Sequence, residues 1–413
     1  MTHFSRPIVF ALILATLPLM MHAQRPAADW PQYRGVARDG AAGNFAVPQA
    51  WPETLVQRWK TDVGIGYATP LIVGNRIYVF SRRAETETMA ALDTETGKEV
   101  WHTGYPADFT MNSAAARHGK GPKSTPVFAN GALFSIGMTG IVTAFDAATG
   151  KQLWQKPGSM PLPLYTSHAF SPIVDRGLVI FHVGGHDKGA LTAFDVATGA
   201  VKWSWPGDGP GYGSPIVADL GGVRQVITIT QGKVVGVDIS NGTLLWERPF
   251  PSAQSTNSNT PVLHRQTVIV SGNGGPTVAF TVAKNGAQWT TATAWENPDV
   301  PLRLTNIVVA GDLLFGLTNR NAGQYFGVDA KTGKTLWTSP GRQAGNAAIE
   351  KAGDFLFSLE DDGDLVVARS SQTGFDQVRK YKVADGETWA EPALSGNRIF
   401  VKDLNTVTLW TLN

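Results

Sequence analysis

Five times the sequence places Asp, then Gly four positions on, then Trp four beyond that: Asp93/Gly97/Trp101, Asp146/Gly150/Trp154, Asp195/Gly199/Trp203, Asp238/Gly242/Trp246 and Asp329/Gly333/Trp337. The spacing inside the unit never changes, whereas the distance between units does. A unit recurring every roughly 40–50 residues is the signature of an array of small sheets rather than one enzyme core. Insertions fall between units, so each unit is a rigid piece of structure and its neighbours are attached by variable loops.

One copy, Val142 to Trp154, shows why. The run up to Phe145 is β-branched and aromatic, as a strand requires. Asp146 can accept from backbone amides ahead of it, Thr149 supports the same turn, and Gly150 supplies the positive φ of a bulged hairpin. The returning strand carries Leu153 and Trp154. Burying an indole removes about 150–250 Å² from water, on the order of 4–6 kcal/mol at ~25 cal/mol/Å² before entropy is subtracted. Trp59, Trp101, Trp154, Trp203, Trp246 and Trp337 are therefore read as wedges that dock each sheet to the next.

The pattern A-x-D-x-x-T-G-K-x-x-W, complete at 91–101 and 144–154 and with Gly327 replacing Ala at 327–337, resembles the tryptophan-docking repeat of pyrroloquinoline-quinone-like (PQQ-like) propellers. That family includes quinoprotein alcohol dehydrogenases and the propeller lipoprotein of the outer-membrane β-barrel assembly machinery, BamB. The resemblance runs from about Trp51 to the C-terminus. It is specific for fold and much less so for activity.

Counting units gives the ring. Runs begin at Thr69-Pro70, Thr125-Pro126, Ser171-Pro172, Ser214-Pro215 and Thr260-Pro261. One further unit spans Thr305 to Trp337. Two are degenerate: one carries Thr281, Gly286 and Trp289, the other runs from Ala347 to Lys382 with no clear Asp or Trp. The last segment offers three strands, and Leu55 to Lys60 near the start reads as a lone outer strand bearing Trp59. The expectation is an all-β, eight-bladed propeller of four-stranded antiparallel blades, its eighth blade completed by the N-terminal outer strand. The divisions are 1–23, 24–50 and 51–413.

Residues 1–23 read as a secretory signal: Arg6, an apolar run Ile8 to Met21, then Ala23 before Gln24. The run is short for a bilayer span and broken by Pro18. With 0 Cys, the chain offers neither a lipidated cysteine nor a disulfide, unlike the assembly lipoprotein. A periplasmic or secreted monomer without a membrane span is expected. The net charge of +2 is scattered and indicates neither nucleic acid nor an anionic membrane. Between leader and ring, Trp30-Pro-Gln-Tyr-Arg-Gly35 resembles the W-P-Q-[FY]-R-G segment preceding many secreted propellers of this type. It is expected to pack its aromatic rings on the side of the ring, with Arg34 bonded to backbone carbonyls.

Any small ligand should sit in the axial funnel, where the innermost strands begin. The residues just before those strands are Tyr67, His118, Lys123, His168, Tyr212, Asn257, Asn259, Arg303, Asn306, Asn346, Trp389 and Glu391. Lys123 and Arg303 are the candidate anion partners and the aromatic residues the stacking platforms, which suits an anionic or sugar-like ligand. A solvated channel mouth would be lined by similar residues.

Other constellations are weaker. His182-Val-Gly-Gly-His186-Asp187 lies in a hairpin loop, where a four-residue spacing does not converge on a metal. Asp361-Asp362-Gly363-Asp364 lacks the length and final Glu of a helix-loop-helix calcium site. Gly207 to Gly213 is glycine-rich but opens no helix. Two functions remain. One is a non-catalytic binding or scaffold propeller, like the assembly subunit, working through an envelope protein or small ligand and with no cofactor expected. The other is a PQQ-dependent alcohol or sugar dehydrogenase, holding the quinone over calcium. Against the dehydrogenase stand the shorter chain, the missing vicinal cysteines and a funnel whose only acid is Glu391. No catalytic or metal residue is assigned.

Overall fold

The computed structural model describes residues 1, 28–158, 168–185, 188–252 and 257–413. The leader, apart from Met1, lies outside the described residues, as do His186 and Asp187. Eight antiparallel sheets form one ring. Blade 1 comprises Leu71–Val73, Arg76–Arg83, Thr86–Asp93 and Glu99–Pro106. Blades 2 to 7 follow in chain order, with innermost strands Val127–Ala129, Ile173–Asp175, Ile216–Leu220, Val262–His264, Val308–Ala310 and Ala347–Ala352. Blade 8 is assembled from both ends of the chain: Ala393–Ser395, Arg398–Lys402 and Thr406–Thr411, with Val56–Asp62 as its outer strand, Lys60 opposite Thr408. The helical elements among the described residues are short 3-10 turns such as Ser113–His118.

The docking unit works as its composition suggests. Asp146 Oδ1 accepts from both Thr149 N (2.8 Å) and Thr149 Oγ1 (2.7 Å), and Asp93, Asp195 and Asp329 repeat the arrangement. These bonds hold each carboxyl below its ordinary range. The small residue two places before the Asp has a reason too. Ala91, Ala144, Ala193, Gly236 and Gly327 lie directly across from the blade's own Trp, leaving room for the indole beside a register shift. The indole then lies on the turn glycine of the next blade. A Cβ on Gly199 would come within 2.7 Å of Trp154, and on Gly242 within 2.7 Å of Trp203. Trp154 Nε1 donates to Val196 O and Trp203 Nε1 to Ile239 O, so the buried donors are satisfied by the neighbour's backbone. Trp59 does the same from blade 8 to blade 1, over Gly97 and onto Thr94 O, and Trp101 covers Gly150.

Blade 5 departs from the sequence reading. Its outer hairpin, Thr277–Asn285 and Gln288–Asn297, is longer than the others, and Gly286 sits at its open tip. The docking residue there is Trp295, opposite Ala279, lying over Gly333 and donating to Ala330 O at 3.0 Å. Trp289 instead leans back over Gly221 of blade 4. Six extra residues of hairpin displaced the motif, and the fixed spacing could not find it. Trp246 and Trp337 also depart from the common pattern. Trp246 bonds Gln225 of its own blade and meets Phe280 of blade 5 edge-on, while Trp337 docks on Phe375 and Ser371 O of blade 7, whose hairpin glycine, Gly374, has no ring over it.

The Ser/Thr-Pro pairs that open the blades have a second role. Each hydroxyl accepts from the equivalent backbone N–H of the preceding blade: Thr69 N to Thr125, Thr125 N to Ser171, Ser171 N to Ser214 (each 3.0 Å) and Ser214 N to Thr260 (3.2 Å). Thr260 N continues to Asn306 Oδ1, and Glu391 N closes back onto Thr69 Oγ1. This belt satisfies buried amides at the axis, where no strand pairs them. Blade 7 breaks it, because Ala348 occupies the hydroxyl position.

The segment before the ring does not pack on its side. It enters the axis and stoppers it. Ala28 pairs with Val73 at the far end of blade 1's innermost strand, adding a fifth strand to that sheet. The chain then rises to the funnel floor at Tyr33, whose hydroxyl accepts from Asn306 Nδ2 at 2.7 Å. Arg34 does meet backbone carbonyls, donating to Ile307 O at 2.8 Å. Arg38 donates to Ser171 O, Pro172 O and Pro215 O, tying blades 3 and 4 together. The return leg bonds Lys351 of blade 7 through Gly40 O and Ala42 N, then Gly396 of blade 8 through Ala46 N. Backbone carbonyls line a propeller axis, and a buried guanidinium with several donors is suited to satisfy them.

Candidate functional site

The stopper makes the axis a blind funnel. On the face where the innermost strands begin lies a pocket of about 250 Å³, and Tyr33 lies on its lining. Tyr67, His118, Lys123, Tyr212, Arg303, Asn306, Asn346, Trp389 and Glu391 all line this one pocket. His168, Asn257 and Asn259 do not. They are buried, Asn257 Nδ2 donating to Thr230 O, Gln231 O and Phe250 O, and Asn259 Nδ2 to Thr305 O. Both asparagines hold inter-blade loops together instead of facing the cavity.

The cations stand on opposite walls. Lys123 precedes blade 2 and is half-buried, with Gly119 O at 3.4 Å and Met138 Sδ at 3.8 Å as its polar neighbours. No carboxylate among the described residues compensates it, and burial pushes its pKa down to about 8. Arg303, before blade 6, is exposed and forms no hydrogen bond or ion pair among the described residues. Trp389 meets His118 edge-on at 4.8 Å between ring centres, so the loops of blades 8 and 2 touch across the mouth of blade 1.

The floor carries the opposite charge. Glu391 is 5% exposed and receives Asn306 Nδ2 at 3.4 Å on Oε1. Behind it lies Glu350, fully buried in blade 7's innermost strand. Burial first, and then the adjacent Glu391, push the Glu350 carboxyl well up, and neither of its oxygens has a hydrogen-bond partner among the described residues. Arg34 lies close by: a Cβ on Gly40 would meet both Glu350 Oε2 (2.3 Å) and Arg34 Nη2 (2.9 Å). Burial and Glu391 also raise the Tyr33 phenol, while burial lowers Arg38 to about 9. The sequence reading missed Tyr33 and Glu350. A glutamate in the middle of the innermost-strand run Ala347-Ala-Ile-Glu-Lys-Ala352 was the available signal for the second.

The donor set does not fit calcium under a quinone. Calcium takes six to eight oxygens, usually with several carboxylates, and the pocket lining provides one, already engaged by Asn306 and backed by Glu350. Among the described residues, the group of three close acids is Glu360, Asp362 and Asp364. Lys380 bridges Glu360 and Asp364 at 2.8 and 3.0 Å, and Tyr325 donates to Glu360. Asp361 caps Gly345 N and Asn346 N, as a polar turn does. His182 is buried on Asp208 O, with its pKa lowered to about 4 by burial. Around Gly207 to Gly213, Asp208 accepts from Thr230 Oγ1 and Gly232 N, and no helix follows.

An eight-bladed ring with indoles docked on glycine turns, stoppered from one face and open as a funnel on the other, defines a PQQ-like propeller. Residues 85–339 match the family described as outer membrane protein assembly factor BamB, and the chain belongs to that family. A relative with that description, from Burkholderia pseudomallei (strain K96243), is 28% identical over 298 residues, covering 62% of this chain and 74% of the relative. Among solved structures, BamB from Moraxella catarrhalis aligns with a TM-score of 0.60 at 16% identity over 87% of this chain and all of that one (100%). Quinohemoprotein alcohol dehydrogenase from Comamonas testosteroni aligns with a TM-score of 0.65 at 16% identity, over 95% of this chain and 81% of that one. At such identities the structural likenesses establish the fold alone. No helix among the described residues is long and apolar enough to cross a membrane.

Proposed function

We propose that this chain is a non-catalytic binding propeller of the cell envelope, periplasmic, offering its ring as a scaffold to protein partners in the manner of the assembly factors it is similar to. The observation that carries the reading is the axis. Its channel is stoppered by residues 30–42, and the remaining funnel has a single lining carboxylate, Glu391, bonded by Asn306. A quinone dehydrogenase needs a metal-binding acid set and a free base there. Family membership supports the envelope setting and a role beside an outer-membrane assembly complex.

The test has two arms. Purified protein supplied with PQQ and calcium should show no dye-linked oxidation of alcohols or aldoses. Site-specific cross-linking from the ring's rim in intact cells should trap components of the outer-membrane assembly machinery. Robust dye reduction would overturn the non-catalytic reading, and cross-links confined to unrelated proteins would overturn the assembly role.

A further inference from the structure

We propose that the funnel binds a hydroxyl-bearing organic anion of the sugar-acid or sugar-phosphate class, with its acidic group on Lys123 and a hydroxyl on Glu391. The charge pattern sets this orientation. Lys123 is a partly desolvated cation with no carboxylate of the described residues within ion-pair distance, so an anion beside it gains from the lowered dielectric. Arg303 is exposed and screened, which suits it to steering the anion in or holding a second charge loosely. The floor repels anions, because Glu391 is held there by Asn306.

A neutral donor suits the floor better than an ammonium. Arg34, next to Glu350, already places a cation behind the floor, so an ammonium gains little there, while the Glu391 carboxylate on the cavity lining still disfavours an anion. A carboxylate has about four lone-pair directions; Asn306 uses one on Oε1, and Glu391 Oε2 has no hydrogen-bond partner among the described residues. Tyr67, Tyr212 and Trp389 line the same cavity and give flat faces for the C–H side of a sugar ring. At blade 7, where the hydroxyl belt is interrupted by Ala348, the pocket is lined by Asn346 and that alanine.

The inference rests on the funnel being a binding site without redox chemistry, and calorimetry on the full chain separates the two. The probes are D-glucuronate, glucose 1-phosphate, glucose, inorganic phosphate, and PQQ with calcium. Glucuronate, glucose 1-phosphate or both should bind at least about tenfold more tightly than glucose or phosphate, and which of the two wins identifies the acidic group. Lys123→Ala should weaken that binding about tenfold or more, with Lys123→Arg restoring part of it, while the melting temperature stays within about 2 °C. Glu391→Gln should weaken the sugar anions and leave inorganic phosphate unchanged or tighter. No heat from either sugar anion up to about 10 mM, phosphate binding as tightly as they do, or insensitivity to Lys123→Ala would each overturn the inference. Tight, calcium-dependent binding of PQQ would instead remove the non-catalytic reading on which it stands.

Discussion

Replacing Trp295 with alanine should cost several times more stability than replacing Trp289, although both sit in the same outer strand of blade 5. Trp295 is 8% exposed, lies over Gly333 of blade 6 and donates to Ala330 O. Truncating a buried Trp costs about 3–5 kcal/mol, and leaving a buried carbonyl unpaired adds ~1 kcal/mol. Trp289 is half-buried and rests on Gly221 and the Lys284 ammonium, 5.4 Å from its ring. Its loss should cost about 1–2 kcal/mol, part of it the cation–π contact. At ~2.1 cal/mol/K per residue, a ring of this size unfolds with an entropy near 0.8 kcal/mol/K, so the two variants should melt about 5–7 °C and about 1–2 °C below the wild type. Far-UV circular dichroism on heating is the assay, since both variants lose one indole. Equal shifts, or a larger one for Trp289→Ala, would refute the assignment of Trp295 as the wedge between blades 5 and 6.

Three further outcomes are expected. Ser171→Ala removes the acceptor of Thr125 N in the axial belt and should cost about 1–3 kcal/mol, the range for a buried donor left unsatisfied, read as a melting shift against an exposed serine control. Glu350→Gln should stabilise, increasingly so as pH rises from about 4.5: the folded carboxyl is raised above its unfolded value by burial and Glu391, so the wild type loses stability with rising pH and the amide does not. A melting-temperature difference that stays flat or shrinks between acid and neutral pH would contradict this. Conversely, the turn aspartates titrate below their unfolded value, so their contribution is present above about pH 4 and lost as pH falls through the folded pKa; Asp195→Asn should flatten the acid limb of the melting profile, and an unchanged limb would argue against it.

The ring was legible because its repeat carries geometry in few residues. Asp, Thr and Gly fix a turn, and a small residue faces a Trp across one strand pair, so the pattern that identifies a blade is also what builds it. Blade 7 was counted as a degenerate unit, Ala347 to Lys382, without a clear Asp or Trp. Blade 5 was counted correctly but its wedge was misplaced, since a lengthened hairpin moves Trp295 out of the fixed spacing while leaving its packing unchanged. The funnel was legible to the extent that position before an innermost strand determines where a residue points. His168, Asn257 and Asn259 sit in the same loops yet are buried off the cavity, the two asparagines because buried loop carbonyls needed donors. The axial stopper was not legible. Trp30 to Gly40 has no strand pattern long enough to announce a partner, and Arg34 and Arg38 find their carbonyls on blades more than a hundred residues away.

The blind funnel depends on that stopper, and a chain without cysteine allows a direct measurement. Ala41 and Lys351 are bridge partners, within the Cα separation that a disulfide accepts, so the variant A41C/K351C should oxidise in air to a single intramolecular disulfide, detected by non-reducing electrophoresis and peptide mass spectrometry. Near-complete closure to that one bond would place the return leg of the stopper against blade 7 inside the ring. Two free thiols, both alkylated in the folded protein, would contradict a filled axis and the funnel site with it.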